Sequence, residues 1–431
     1  MSVLILLKAL FFTSTAALAC TSLYAPLFYY DYFGLSKEQV GLITSLGPLI
    51  SLFSAPLTLY IGETSKIFNL KRIYNIIIVI GTLAWLSHTL IQPTDPNALL
   101  YIVVITIVSA LTVSTYRVAL DSMTLMLLDG KKDGDYGQCK LYGSISWGLS
   151  SLIVGYLLDV TGNPWIIIYV FVFFMIPFYL LSLLIKWNDQ TDVSQADRDV
   201  ETSDDLPDAS SSGEIQPVDE SSSLLPNSTT SKTLFQSLFT LKVLLFLFSA
   251  SLVGMQNSAI NAYLFIYFST VWKTSSTLLG WSTPFSIFFE IPTFYYARQI
   301  SNRLGYTKML IISQLLQLTR FLLYMYLPGL MGDALHTTLG SIILLAIQIT
   351  HGVSFGLVWT ACVDYVLFIA PLKYRQTFIG IYSTFFSNAG GMLGSLLAGW
   401  VYENYGYFYL WGCCSAMIVV SIMSFIWSTL L

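Results

Sequence analysis

Long apolar runs separated by short polar breaks recur along the whole chain, and their length decides what they can form. A bilayer-crossing helix needs about 20 mostly apolar residues. Twelve stretches meet that description, at approximately 2–30, 39–62, 73–92, 98–128, 140–160, 164–186, 243–271, 277–299, 307–328, 338–368, 377–402 and 406–429. Lipid offers backbone groups no hydrogen-bond partners, so these runs predict helices rather than open strands. The pattern breaks once. Residues 187–233 hold eleven of the 24 acids in a Ser- and Pro-rich stretch, with too little apolar surface to offset the entropy of ordering. The chain is therefore expected to be an all-α polytopic membrane protein: a six-helix bundle over 1–186, a disordered acidic Ser-rich linker over 187–233, and a second six-helix bundle over 234–431.

Composition agrees, since 55% of residues are hydrophobic and only 10% charged. The small residues before Cys20 resemble a leader-peptide cleavage site, but the only early cation, Lys8, lies inside the apolar run, which reads as a span. Five cysteines without paired spacing (Cys20, Cys139, Cys362, Cys413, Cys414) give neither a disulfide framework nor a metal site. Fifteen of the 20 Lys and Arg residues fall in loops after even-numbered spans, two (Lys37, Lys273) after odd-numbered spans and three within spans. Cytoplasmic loops carry the excess of cations, so both termini are expected to be cytoplasmic.

An internal repeat divides the chain. Ser151-Leu152, Gly155, Asp159 and Gly162 recur as Ser395-Leu396, Gly399, Glu403 and Gly406 at a constant offset; Tyr24, Tyr29 and Gly41 are echoed more weakly by Tyr263, Phe268 and Gly280. Parallel repeats of six helices with a site at their interface are one way transporters are built.

These residues, with His351-Gly352, Phe355-Gly356, Arg375, Thr377, Gly391, Gly394 and, in the first half, Pro26, Leu35-Ser36, Pro56, Tyr142-Gly143-Ser144 and Trp147, resemble the major facilitator superfamily over all twelve spans. The likeness is to its lactose-permease-like branch, with nucleoside and phenylpropionate permeases. It implies two bundles in a pseudo-two-fold arrangement that alternate access to a central site, and gating loops at Glu63, Lys71 and Arg72 and at Arg303 and Lys308. The first loop departs from the family pattern, with Leu59 and Glu63 where a glycine and an aspartate stand.

Polar groups inside apolar spans cost free energy and tend to face a cavity or one another. Arg117 and Asp121 lie one turn apart on one helix face and can pair. The resemblance places Asp121, Lys140 and Trp147 at the acid, the cation and the stacking tryptophan of a sugar site, with Asp for Glu and Lys for Arg reshaping the grip. The alternative for Arg117 and Asp121 is a structural ion pair. Gln256 is expected to act as interhelical glue, whereas Asn257 and Asn261 are either glue or ligand contacts. In the second half Glu290, Arg320 and His351 match positions implied in substrate binding and proton coupling. Gln348 and Ser354 stand where the lactose permease has a lysine and an acid, so coupling, if present, must run through Glu290, alone or with Asp121 or Asp364, the last of which is placed nearer the cytoplasmic end as a gate or anchor.

The functional expectation is a secondary active transporter of a small organic solute such as a sugar, by alternating access in symport with protons. A uniporter or exporter on the same fold is the alternative. A different class, a non-transporting receptor or sorting scaffold, is suggested by Glu220, Leu224 and Leu225, which have the form of an acidic dileucine signal for adaptor proteins, in an endolysosomal, vacuolar or plasma membrane. No HExxH, P-loop or nucleophile with a plausible base appears, so no enzyme and no cofactor or metal is expected; nor is nucleic-acid binding. A monomer is expected.

Overall fold

A computed structural model describes residues 3–64, 70–128, 135–185, 238–371 and 374–431. The linker, with Glu220, Leu224 and Leu225, and the side chains of Glu63, Lys71 and Arg72 lie outside the described residues. All regular structure among the described residues is helical: α1 (Val3–Asp31), α2 (Lys37–Thr64), α3 (Leu70–Leu86) with a 3-10 turn (Ser87–Leu90), α4 (Ala98–Leu128), α5 (Asp135–Thr161), α6 (Ile166–Leu183), α7 (Leu241–Thr270), α8 (Ser276–Met331), α9 (Thr338–Ile369), α10 (Arg375–Ser383), a π-helical turn (Thr384–Ala389), α11 (Gly390–Tyr405) and α12 (Tyr407–Leu430). Among the described residues eight helices are long and apolar enough to cross a membrane.

The eighth and ninth apolar runs are two helices that meet without an intervening loop at Gly305, where φ is 73°; α8 denotes the two arms together. That left-handed value suits glycine, and it redirects the chain into a second arm. The eleventh run is a rod in which α10 passes through the π turn into α11. There the Phe386 carbonyl lies against Gly254 of α7, where a side chain would overlap it. Prolines inside α1, α6 and α8 are tolerated because neighbouring helices supply the lost contacts.

α1 packs on α5 and α6, and α3 on α4, while α7 packs on α11 and α12 and α8 on α9. The two halves meet chiefly through α5 with α8 and α2 with α11. At these contacts the repeat acquires physical meaning. The Tyr24 hydroxyl donates to the Ser151 carbonyl at 2.7 Å, and its counterpart Tyr263 donates to the Ser395 carbonyl at 3.1 Å. Beside each bond two glycines bring backbones together: a Cβ on Gly155 would sit 3.1 Å from Gly280 Cα, and one on Gly41 would sit 3.3 Å from Gly399 Cα.

One turn beyond, each half lends an acid to the other. Asp159 at the end of α5 accepts from the Ser276 and Thr277 amides at 2.9 and 2.7 Å. Glu403 at the end of α11 accepts from the Lys37 amide at 2.9 Å. Orphan N–H groups and the positive helix end are both satisfied this way. The Lys37 ammonium adds a 3.9 Å contact to Glu403 and lies over the Tyr402 ring at 4.8 Å. These two latches occupy the same end of the molecule.

All five cysteines are free thiols.

Candidate functional site: a latched central cavity

Below the latches a cavity of about 450 Å³ lies between the halves, walled by α1, α4, α5, α7, both arms of α8, and α9. Its size is that of a site for a small organic molecule. Every residue singled out in the sequence for substrate binding or proton coupling lines it: Arg117 and Asp121 from α4, Lys140 and Trp147 from α5, Asn257 and Asn261 from α7, Glu290 from the first arm of α8, Arg320 from the second, and His351 from α9. Near the latches the wall ends at Thr283, whose hydroxyl accepts from Ser151 at 3.1 Å. Asp121 and Lys140, toward the opposite end, are exposed.

Of the two cations the sequence offered to Asp121, the structure brings to it the one the resemblance implied. Asp121 does not pair with Arg117. Its Oδ1 lies 2.7 Å from Lys140 Nζ, because α5 brings the lysine across the groove to the same face, and the ammonium also lies over the Phe11 ring at 5.1 Å. Arg117 has no hydrogen-bond partner among the described residues. A pair this exposed contributes about 0.2–1 kcal/mol, so Lys140→Gln should lower unfolding stability by less than about 1 kcal/mol, checked by thermal melting. A larger loss would identify the pair as a packing element.

Arg320 is fully buried and makes no ion pair with Glu290. Its Nε donates to the Tyr324 hydroxyl at 2.8 Å and its Nη2 to Gln348 Oε1 at 2.9 Å, while Gln348 Nε2 donates to Tyr324 at 3.2 Å. Nη1 has no partner. Gln348, standing where the lactose permease has a lysine, thus accepts from the guanidinium. Tyr324 was not among the sequence candidates, although its place one turn after Arg320 puts it on the same helix face. Glu290 is half-buried, and neither it, Asn257 nor Asn261 has a hydrogen-bond partner among the described residues.

Gln256 is not glue. Both atoms of its buried amide lack a partner, as do Gln314 Oε1 and His351 Nδ1. All three residues line a chamber of about 30 Å³ behind His351, with Asn257, Gln317 and Ser354, room enough for a water. Asp364 is an anchor: its carboxylate accepts from Ser301 at 2.5 Å, tying α9 to α8. Arg303 and Lys308 are exposed on either side of the Gly305 break, with no ion pair among the described residues.

The family described as "MFS_1 like family" matches residues 4–413. The chain is 23% identical over 370 residues, covering 86% of it and 79% of the relative, to the "uncharacterized transporter YwbF" of Bacillus subtilis (strain 168). Its fold is similar to the crystal structure of nucleoside transporter NupG, with a TM-score of 0.76 at 15% identity over 100% of this chain and 99% of that one. It is also similar to a bacterial homologue of the iron transporter ferroportin in an inward-facing state, with a TM-score of 0.68 at 12% identity over 99% of this chain and 100% of that one.

Proposed function

The chain belongs to the MFS_1 like family and is a multi-pass membrane transporter of the major facilitator type, and from that premise we propose that it is a secondary active transporter moving a small organic solute together with protons. The observation that carries this reading is the cavity between the halves, which gathers the residues singled out for substrate binding and proton coupling and lies beside two repeat-related latches.

Helices up to α6 form one six-helix bundle. From α7 onward the two arms of α8 count as two crossings and the α10–α11 rod as one, giving six more. With both termini cytoplasmic, as the loop cations indicate, the latches face the lumen or exterior and the cavity opens to the cytoplasm. Breaking the latches while closing the Asp121–Lys140 end inverts access, and a solute drives this only if it binds the two arrangements with different free energy. Glu290 is the proton carrier: a carboxylate in the cavity wall, with no hydrogen-bond or ion-pair partner among the described residues. Arg117, Lys140, Asp121, Trp147, Asn257 and Asn261 contact the solute, with the ring of Trp147 offering an apolar stacking face. Arg303 and Lys308 belong to the gate at the cytoplasmic end.

The test is uptake of sugars, nucleosides and carboxylates by vesicles reconstituted with the purified protein, with and without an imposed pH gradient. Saturable uptake that the gradient drives above equilibrium is expected. Uptake that merely equilibrates, whatever the gradient, would leave a facilitator; none for any solute would remove the transport reading.

A further inference from the structure

We propose that the small chamber behind His351 is a resident-water site, and that this water decides which ring nitrogen of His351 carries the hydrogen. The inference holds whether or not the main cavity is a transport site. Two helices line the chamber with pairs of residues one turn apart on a single face: Gln314 and Gln317 from the second arm of α8, His351 and Ser354 from α9, with Gln256 facing them from α7. Gln256 and Gln314 are 1% and 2% exposed. Even so, both atoms of the Gln256 amide, Gln314 Oε1 and His351 Nδ1 have no partner among the described residues. Orphaned polar atoms around a void of about 30 Å³ do not stay dry, because empty cavities are apolar and a polar one with room for a water holds it.

The lining selects water over an ion. Val253, Val358 and Phe386 complete the wall with apolar surface, and no carboxylate among the described residues lines it. A cation there would be buried without a counter-charge. For an anion the hydroxyl donors are already spent: Ser313 donates to the Leu310 carbonyl at 2.7 Å, and Ser354 to Gln317 Oε1 and the His351 carbonyl at 3.2 and 3.1 Å.

Donors and acceptors then fix the histidine. Gln256 Oε1 and Gln314 Oε1 can only accept, so they take both hydrogens of the water between them. The lone pairs of that water are left to accept, and the ring nitrogen that meets them, Nδ1, must be N–H. His351 is half-buried and lines the main cavity as well, so the neutral ring turns a bare Nε2 to that side. Gln256 and Gln314 are therefore positioning residues that act on His351 through water.

The experiment is nitrogen NMR of the full-length protein in lipid vesicles, labelled at histidine and held at alkaline pH, where imidazole is neutral. The other two histidines serve as references. His88 and His336 place Nδ1 3.1 Å from the Trp85 carbonyl and 2.9 Å from the Trp272 carbonyl, and a carbonyl only accepts, so both are Nδ1–H. His351 is the signal lost in His351→Asn. It should be Nδ1–H, with a cross-peak from that hydrogen to a long-lived water. Gln256→Leu with Gln314→Leu removes the acceptors that hold the water, so the cross-peak should be lost and the ring should shift to Nε2–H, the form free histidine favours. This double variant should fold and melt close to the parent, since neither amide has a hydrogen bond among the described residues to lose; Gln256→Met with Gln314→Met makes the same test if the leucines do not fit. Nε2–H or no water contact in the parent, or Nδ1–H persisting in the double variants, would overturn the inference. So would a marked rise in melting temperature in the variants, the sign of an empty chamber with unserved amides. Stabilisation by sodium or lithium chloride over choline chloride at equal concentration would also overturn it, by placing a cation there.

Discussion

Gly155→Leu is expected to abolish uptake and to open the sealed end of the cavity. The added Cβ would fall on the Ser276 carbonyl, 2.7 Å from the Tyr24 hydroxyl and 3.1 Å from Gly280 Cα. Two of these neighbours are backbone and cannot rotate away. Overpacking of this kind costs about 1–3 kcal/mol, and here it is charged to the latched arrangement alone. A bias of that size shifts the ratio of latched to unlatched protein by about 5- to 150-fold. The measurement is labelling of Thr283→Cys, at the latch end of the cavity, by an impermeant maleimide added from the side bearing Lys37 and Glu403, compared with the parent lacking that cysteine. Labelling should be slow with Gly155 and fast with Gly155→Leu. Gly47→Leu is the control, since nothing lies within 4 Å of the Cβ it adds. Slow labelling and normal uptake in Gly155→Leu would show that the α5–α8 contact is not a gate.

The second large effect is loss of concentrative uptake in Glu290→Gln. Coupling one proton to one solute makes each unit of pH gradient worth about 1.4 kcal/mol, which is about tenfold accumulation. The amide is nearly the same size as the carboxyl and binds no proton. Accumulation should fall to about onefold, at any gradient, while exchange of solute between equilibrated compartments survives. Persistence of gradient-driven accumulation would move the proton to another group, with Asp121 next to be examined. The two substitutions fail differently: Gly155→Leu stops movement, whereas Glu290→Gln leaves movement and removes its direction.

Much of this molecule could be read before its fold was known, and the reasons are specific. The apolar runs were legible because a bilayer sets a minimum span length. The latches were half legible: Gly155, Asp159, Gly399 and Glu403 stood out as a repeat, but nothing in one sequence says that an acid caps a helix of the opposite half. The cavity residues stood out because polar groups are scarce inside membrane spans. Pairing was not legible, because it depends on how helices are rotated against each other. Asp121 had one plausible partner a turn away and another on the next helix, and the structure places it with Lys140. Arg320 stood out as a buried cation, but nothing in sequence says that the second arm of α8 presents its guanidinium to Tyr324 and Gln348. Gln256 shows the same limit, since an amide is glue only if a neighbouring helix turns an acceptor toward it.

The π-helical turn at Thr384–Ala389 makes the rod unevenly sensitive to changes in length. A π turn holds one residue more than an α turn. Loss of one residue within it would let the rod close into an ordinary helix with the faces on either side preserved. The same deletion a few residues later, in α11, would turn everything beyond it by about 100°, carrying Glu403 away from Lys37 and Gly399 away from Gly41. Chains of this design can therefore lose a residue at one point of this rod without losing its alignment, and between Gly391 and Gly399 they cannot.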